Sequence, residues 1–567
     1  MYWKKCIRPY RWQAIIGFFF KMTEALFELC VPMAVARVID LGVAKHSPQM
    51  IIKMAWVLFG LALGGYCCAI VCQYFASLSS QGFGTIMRKE MFKAINDYDY
   101  DNLDEMGTPT LITRITNDVN QLQDLVAMTI RLVSRSPFLI IGSLVAAFMI
   151  NVQIALIFLI ISPMIAFSIY WVMSHTQPLY RKIQSILDDV SSLTRENLSG
   201  VRVIRAFNKQ EEEYQRFENT IDHQTKTQKH AGNLAALLNP ATTVIVNLGI
   251  ILILYVGGIK INAGSLTQGE VIALINYMNQ ILLSMYVFSN VILLYIKGSA
   301  SYKRVSEVLD MHSSIIEGED VPSSSEEMIR FDHVSFSYKE GQALRDLNFV
   351  IKKNETIGII GGTGAGKTSL VSLIPRFYDA SEGTIYIKGK PISSYQFKAL
   401  RQLIGYVPQS AVLFKGTVRS NLLWGNKHAS EEDLKQALEI SQAKEFVDKM
   451  GLDAPISAYG KSVSGGQRQR LTIARAIVKK PEILILDDSA SALDFATDAK
   501  LRKSLKQLDA TTLIVSQRVS SIAHADKIIV LRHGEIVGMG NHKELLRDCQ
   551  VYQEIVQSQS EGDSYEK

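Results

Sequence analysis

Four stretches of this chain run for more than 20 residues without a charged side chain: Ala55 to Phe75, Val152 to Val172, Leu238 to Ile259 and Val271 to Ile296. A bilayer core about 30 Å thick takes roughly 20 helical residues to cross, because a helix satisfies all its backbone polar groups internally. All four stretches lie before about residue 300 of the 567. The first half of the chain is therefore read as a helical membrane domain, and the remainder folds outside the bilayer.

Two weaker spans complete the set. Ala14 to Val38 carries Lys21, Glu24 and Glu28, and Ser136 to Ile150 is short unless it extends back through Arg131 and Arg135. The second meets the Val152 span through Asn151, which leaves room only for a hairpin at the far membrane face. The expected membrane domain is residues 1–310, with helices at about 14–38, 55–78, 127–150, 152–173, 237–259 and 269–297. Lys4, Lys5, Arg8 and Arg11 lead in; Arg88, Lys89, Lys93 and Arg114 lie in the second connection, and Arg181, Lys182, Arg195, Arg202 and Arg205 in the fourth. The opposite connections, around Lys45, Asn151 and Lys260, are short and poor in charge, so the positive-inside rule puts both termini in the cytosol. The first span follows a basic leader but has charges in its middle and no small-residue cleavage pattern, so it reads as a retained helix rather than a secretory signal.

The formal charge of +6 needs no nucleic acid, since cationic residues beside anionic lipid account for it. Cys6, Cys30, Cys67, Cys68, Cys72 and Cys549 sit mostly in apolar helices at spacings that suit neither a metal site nor disulfides.

The basic connections at about 80–125 and 175–232 are polar yet helix-periodic, which predicts membrane helices running on into the cytosol. They contain two distinctive runs, GTPTLITRITND (Gly107 to Asp118) and RENLSGVRVIRAFNKQ (Arg195 to Gln210). Residues 311–328, including IIEGEDVPSSSEE, read as a linker, and 561–567 as a tail. Between them, at 329–560, short β-rich runs such as ETIGII, EILILDD and TTLIVS alternate with helical ones such as EDLKQALEISQA, which predicts an α/β domain on a largely parallel sheet.

That second domain carries the chemistry. Gly361-x4-Gly366-Lys367-Thr368 follows the apolar strand Thr356 to Ile360 and opens a helix, the context a phosphate-binding loop requires. Backbone N–H groups of Gly361, Gly362, Thr363, Gly364, Ala365, Gly366 and Ser369 are expected around phosphate oxygens of ATP, Lys367 on the terminal phosphates, and the Thr368 hydroxyl on Mg²⁺. Ile483 to Leu486 delivers Asp487 at a strand end as the expected Mg²⁺ partner.

With these motifs in this order the chain resembles a half-transporter of the ATP-binding cassette (ABC) exporter superfamily, over nearly its whole length. The resemblance implies a type I exporter-like domain of six transmembrane helices followed by an α/β P-loop nucleotide-binding domain, in the plasma membrane of a bacterium. It also implies that Tyr338 in FSYKEG stacks on adenine and that Gln409 in YVPQS joins Mg²⁺ and the attacking water to the membrane domain. Ser464, Gly465, Gly466 and Gln467 match the signature that caps a phosphate held by the other subunit, while Ser491 and Asp494 lie in the loop that crosses the dimer interface. The two cytosolic runs resemble exporter coupling helices.

Three departures set the expected mechanism. Where the family has a glutamate after the Mg²⁺ aspartate to orient or deprotonate water, this chain has Asp488, one methylene shorter. A misplacement of about 1 Å can cost on the order of 10²-fold in rate. At the switch position Gln517 replaces histidine; it still donates a hydrogen bond but carries neither a proton nor a positive charge. Ahead of the signature, Ser457-Ala458-Tyr459-Gly460 stands where a GERG-like run is usual. An intact signature with weakened hydrolytic residues implies a heterodimer with a homologous half-transporter, as in bacterial multidrug exporters with one degenerate site. The alternatives are a self-sufficient homodimeric exporter and a regulatory ATP-binding membrane subunit that is not an enzyme.

The transported substrate, whether drug-like, lipid or peptide, is not encoded in any motif. The chain begins almost at its first crossing, with no room for an appended peptidase domain. Lys21, Glu24 and Glu28 share a helix face, suited either to a cation site or to internal salt bridges. Tyr277, Met278, Met285, Tyr286 and Phe288 suit an adaptable apolar surface or ordinary helix packing equally.

Overall fold

The structure is a computed structural model that describes residues 2–321, 325–339 and 341–565, with the side chains of 560–565 left aside. Glu340 of FSYKEG, residues 322–324 of the linker and the end of the tail lie outside the described residues. The chain forms two units: Met1–Asp97 with Met106–Met311, and Tyr98–Glu105 with His312–Lys567.

Among the described residues of the first unit, five helices are long and apolar enough to cross a membrane: Pro48–Asn96, Thr108–Ile150, Val152–Ser199, Gln210–Asn262 and Gln268–Asp310. One further helix, Arg11–Arg37, precedes these as the first membrane helix, spans 27 residues and holds Lys21, Glu24 and Glu28 along its middle. The 43 to 53 residues of the five correspond to about 65–80 Å at 1.5 Å per residue, so each outruns a bilayer core of about 30 Å. Local chemistry sets the turns. Asn151, in extended conformation, caps the fourth membrane helix by accepting from the N–H groups of Gln153 (3.1 Å) and Ile154 (3.2 Å). Thr267 and Glu270 form a capping box at the sixth, where Asp40 accepts from Thr267 Oγ1 (2.6 Å) and Gly269 N (2.8 Å). Gly269 is needed there, because a Cβ would come within 2.2 Å of the Ala36 carbonyl oxygen.

The run Gly107 to Asp118 differs from its expected role as a coupling helix, for it forms the foot of the third membrane helix. Buried Asp118 accepts from Ser301 Oγ (2.9 Å) and Arg304 Nε (2.9 Å), and Arg114 pairs with Glu307 at 3.0 Å, locking that foot to the sixth helix. The segment that clusters with the second unit lies just upstream, at Tyr98–Glu105. Arg195 to Gln210 does form a short helix, Val201–Ala206, between two long ones, and leaves Val203 and Phe207 exposed.

In the second unit, a six-stranded sheet runs in the order Glu535–Gly540, Lys527–Arg532, Thr356–Gly361, Thr511–Val515, Ile483–Asp487, Ile404–Val407. Every neighbouring pair is parallel except the first. Its strands are buried on both faces, as their unbroken apolar runs require: Leu484 and Leu486 enter one core, Ile483 and Ile485 the other. A four-stranded antiparallel sheet, ordered Gly341–Lys352, Glu327–Tyr338, Glu382–Ile387, Lys390–Pro391, packs into the second core through Phe331 and Phe349. The last helix, Gln550–Tyr565, continues past the expected boundary at 560. Because Thr511–Val515 lies between Thr356–Gly361 and Ile483–Asp487, the carboxyl ends of three strands present Gly361, Gln517 and the Asp487–Asp488 pair at one edge of the sheet.

Candidate nucleotide site

The turn after Thr356–Gly361 is built for close backbone approach. Gly364 (φ 77°) and Gly366 (φ 95°) adopt left-handed conformations, and a Cβ on Gly366 would lie 2.7 Å from the Ala343 carbonyl oxygen. Helix Lys367–Leu373 then begins with its N–H groups facing the loop. Lys367 Nζ folds back to donate to the carbonyl oxygens of Gly361 (2.9 Å) and Gly362 (2.8 Å).

Beside it, Thr368 Oγ1 donates to Asp487 Oδ1 at 3.2 Å, and Tyr406 OH donates to Asp487 Oδ2 at 3.3 Å. Asp488 is also buried and sits in the left-handed region (φ 45°), held by its N–H to the Val515 carbonyl at 3.0 Å. Two side-chain amides converge on one of its oxygens: Gln409 Nε2 at 3.4 Å and Gln517 Nε2 at 3.3 Å. Burial pushes both aspartate carboxyls up, opposed by the Lys367 charge and their hydrogen bonds, and pushes the Lys367 ammonium down, opposed by the two aspartates. A charged ligand with a cation of its own relieves that strain in both directions. The oxygen donors Thr368 and Asp487 fit a hard divalent cation such as Mg²⁺. Among the described residues no group of three or more His, Cys, Asp or Glu forms a metal cage, and Mg²⁺ ordinarily completes its shell with waters and substrate phosphates.

A cavity of about 760 Å³ joins these residues, with Tyr338, Thr363 to Ser369, Gln409, Asp487, Asp488 and Gln517 in its wall. Tyr338 hydrogen-bonds Ser369 Oγ at 3.1 Å and meets Tyr378 edge-on at a centroid distance of 5.4 Å.

The expected signature, Ser464 to Gln467, is not among the residues of this wall. Ser464 caps helix Gly465–Val478 in a reciprocal box, accepting from Gln467 N (3.2 Å) while Gln467 Oε1 accepts from Ser464 N (3.0 Å). Ser464 and Gly465 stay exposed, as does the Tyr459 ring just before them, where the backbone is left-handed (φ 60°). Ser491 Oγ donates to the Asp488 carbonyl (2.9 Å), and Asp494 caps helix Phe495–Leu505 through Thr497.

Sequence reasoning missed several wall residues. Asp101, Asp104 and Glu105 line the same cavity from helix Tyr100–Met106. The Tyr100 ring packs against Phe377 at a centroid distance of 4.6 Å, tilted by 31°, and Lys339 pairs with Glu105. The local signal was the acidic, aromatic run Tyr98 to Met106, capped at Asp99. Gln559, on the last helix, accepts from Val519 N (2.9 Å) and donates to the Gln517 carbonyl (2.7 Å), gripping the backbone of the switch turn.

Comparison with known proteins matches residues 14–285 to the ABC transporter transmembrane region and residues 344–491 to the ABC transporter family. The chain is 35% identical, over 98% of its length and 97% of the relative's, to the uncharacterized ABC transporter ATP-binding protein YfiB of Bacillus subtilis. It is 31% identical to an ATP-dependent lipid A-core flippase of Syntrophus aciditrophicus, covering 90% of this chain and 86% of the flippase. Its fold matches a bacterial Atm1-family ABC exporter with ATP bound at a TM-score of 0.81 and 21% identity, over 97% of this chain and 99% of that one.

Proposed function

We propose, given that this chain belongs to the ABC transporter family and carries both its membrane-spanning and its ATP-binding parts, that it is one subunit of a heterodimeric exporter with a degenerate ATP site of its own. It is a transporter ATPase, multiply spanning the membrane with its nucleotide unit in the cytosol. The heterodimer, the residue roles and the export of a drug-like, lipid or peptide substrate are our reading.

In this reading Tyr338 stacks on adenine, the N–H groups of Gly361 to Gly366 receive phosphate oxygens, and Lys367 exchanges its carbonyl partners for the terminal phosphates. Thr368, Asp487 and Gln409 would hold Mg²⁺, which when bound supplies positive charge to the phosphates. The observation that carries the proposal is the convergence of Gln409 and Gln517 on one oxygen of Asp488. Both partners are neutral amides that neither take up nor release a proton, and the carboxylate they engage is one methylene short of the family's glutamate. Such a site retains ATP longer than it cleaves it. The Ser464 to Gln467 turn, exposed at Ser464 and Gly465 and with helix Gly465–Val478 behind it, completes the site of a partner bearing glutamate and histidine.

A self-sufficient homodimer is favoured by one feature: Asp488 is still a carboxylate within 3.4 Å of Gln409. ATP hydrolysis by this chain alone in lipid, compared with the chain co-purified with a homologous half-transporter, decides between them. Activity confined to the pair supports the heterodimer; robust activity alone assigns the homodimer. In the pair, Ser464→Ala is expected to abolish turnover and Asp488→Asn to reduce it far less, whereas equal losses reject the division of labour.

A further inference from the structure

The first membrane helix was open to a cation-site reading because Glu24 and Glu28 share its inner stretch. Both carboxylates are instead closed in pairs. Lys21 Nζ donates to both oxygens of Glu24 (2.8 and 2.9 Å), and Arg135 grips Glu28 with Nη2 on both oxygens at 2.8 Å and Nε at 3.3 Å. Three cations face two anions here, and the one left over is Arg131, which has no carboxylate in ion-pair range among the described residues.

Among the described residues Arg131 makes one hydrogen bond, from Nη2 to Ser77 Oγ at 2.9 Å, and its buried Nε has no partner there. Because the Ser77 oxygen accepts from Arg131, its own O–H remains to donate. The groups open to a ligand at this point are therefore donors: the Nη1 and Nη2 N–H groups of a guanidinium and a serine hydroxyl. A charged residue in a membrane helix is costly and by default marks a ligand path or a pair, and here the pair is missing.

The backbone holds the group in place. Arg131 lies in Thr129–Val133, a turn with i→i+5 hydrogen bonding inside the third membrane helix, a distortion common at functional sites. Gly17 of the first helix fits so closely between Ile130 and Phe75 that a Cβ would lie 3.0 Å from Ile130 Cγ2 and 3.5 Å from Phe75 Cβ. Depth follows from two helices independently. Arg131 precedes Ile150 at the outer hairpin by 19 residues, and Ser77 follows Ala55 by 22, about 28 and 33 Å at 1.5 Å per residue. Both values place the donors at the cytosolic edge of a core about 30 Å thick.

We propose that Arg131 and Ser77 form a recognition site for the phosphate headgroup of an anionic amphiphile drawn from the cytosolic leaflet. One phosphate oxygen takes an N–H of Nη1, a second takes the remaining N–H of Nη2, and the Ser77 hydroxyl closes on either, while the buried Nε–H stays behind the head of the guanidinium and the acyl or alkyl chain stays in the bilayer. As a substrate site it rests on the transport reading above; as a binding site it does not, so its test needs no ATP turnover.

The test is direct binding to the full chain in nanodiscs of zwitterionic phosphatidylcholine, titrated with hexadecyl phosphate, hexadecyl phosphocholine or inorganic phosphate and read by native mass spectrometry. Wild type is expected to retain hexadecyl phosphate at least tenfold better than the phosphocholine. Arg131→Gln is expected to lose that preference, Arg131→Lys to keep part of it, and Ser77→Ala to weaken binding a few-fold. Thermal unfolding checks that each variant folds, and Ser77→Ala carries the test if Arg131→Gln does not. Equal binding by wild type and the folded variants, no preference over phosphocholine, or inorganic phosphate competing as well as the amphiphile would each overturn the proposal.

Discussion

The phenol of Tyr378 donates a 2.7 Å hydrogen bond to the carboxylate of Asp104, 274 residues earlier in the chain. Tyr378 also stands edge-on to Tyr338, so the expected adenine-stacking ring and helix Tyr100–Met106 share one intermediary. Burial, followed by Asp104, pushes the phenol's ionisation far up, which keeps it a donor throughout the physiological range. A hydrogen bond to a charged acceptor is worth about 1.5–3 kcal/mol. Tyr378→Phe keeps the ring and deletes the link. ATP is expected to slow amide exchange in residues 100–106 of the wild type, and that gain is expected to fall about tenfold in the variant. Equal ATP-induced protection in both proteins rejects the link.

Asp99 ties the same helix to the segment after the sixth membrane helix. Its carboxylate accepts from Asn102 N (2.9 Å), Ser314 N (2.7 Å), Ser314 Oγ (3.0 Å) and Ser313 Oγ (3.1 Å). Burial alone raises its pKa, but these hydrogen bonds outweigh it and hold the carboxyl below its ordinary value of 3.8. A carboxyl depressed in the folded state contributes stability that is fully present above 3.8 and is lost as pH falls through the lower, folded value. Asp99→Asn is therefore expected to cost about 1–3 kcal/mol at pH 7, and the difference in thermal midpoint from wild type to narrow below pH 4. A gap that is constant with pH assigns the loss to packing instead.

Gln559 holds the switch turn by its backbone, one amide accepting from Val519 and donating to the Gln517 carbonyl. Removing both bonds leaves the side chain of Gln517 intact but its position unsupported, at a cost of about 1–2 kcal/mol. Gln559→Ala is expected to speed exchange of the Val519 amide about tenfold, while Gln559→Glu, which keeps the acceptor, is expected to preserve most of the protection. Unchanged exchange in the alanine variant means that the turn is held by its own contacts.

The parts of this site that are legible in sequence are those whose chemistry is local. Gly364 and Gly366 are demanded by left-handed backbone in one turn, Asp487 and Asp488 by the end of one apolar strand, and Ser464 with Gln467 by one capping box. Asn151 was readable as a hairpin because two apolar spans leave it alone between them, and its side chain caps the helix it opens. The acidic wall from Asp101, Asp104 and Glu105 was not, because Tyr378–Asp104 and Lys339–Glu105 join residues more than 200 positions apart. The run Gly107 to Asp118 stood out instead, and its conspicuous Arg114 and Asp118 serve the packing of membrane helices. Glu24 and Glu28 were ambiguous for a related reason: Lys21 is a local partner, visible at i+3, whereas Arg135 arrives from another helix.

The degenerate reading makes its strongest claim about two positions taken together. Asp488 Oδ2 lies 3.4 Å from Gln409 Nε2 and 3.3 Å from Gln517 Nε2, so lengthening one side chain and giving the other a titratable ring alters the same few ångströms. Asp488→Glu alone advances the carboxylate by a methylene; Gln517→His alone supplies a group able to carry a proton. Asp488 sits at φ 45°, a strained conformation for any side chain beyond glycine, asparagine or aspartate, so the glutamate is expected to cost some stability. If the two departures cripple the site, the double variant is expected to raise ATP hydrolysis by the isolated chain on the order of 10²-fold, more than the product of the two single effects, because both residues act on one oxygen. If wild type already turns over robustly and the double variant changes it less than threefold, Asp488 and Gln517 suffice as they stand and the homodimer is the correct assembly.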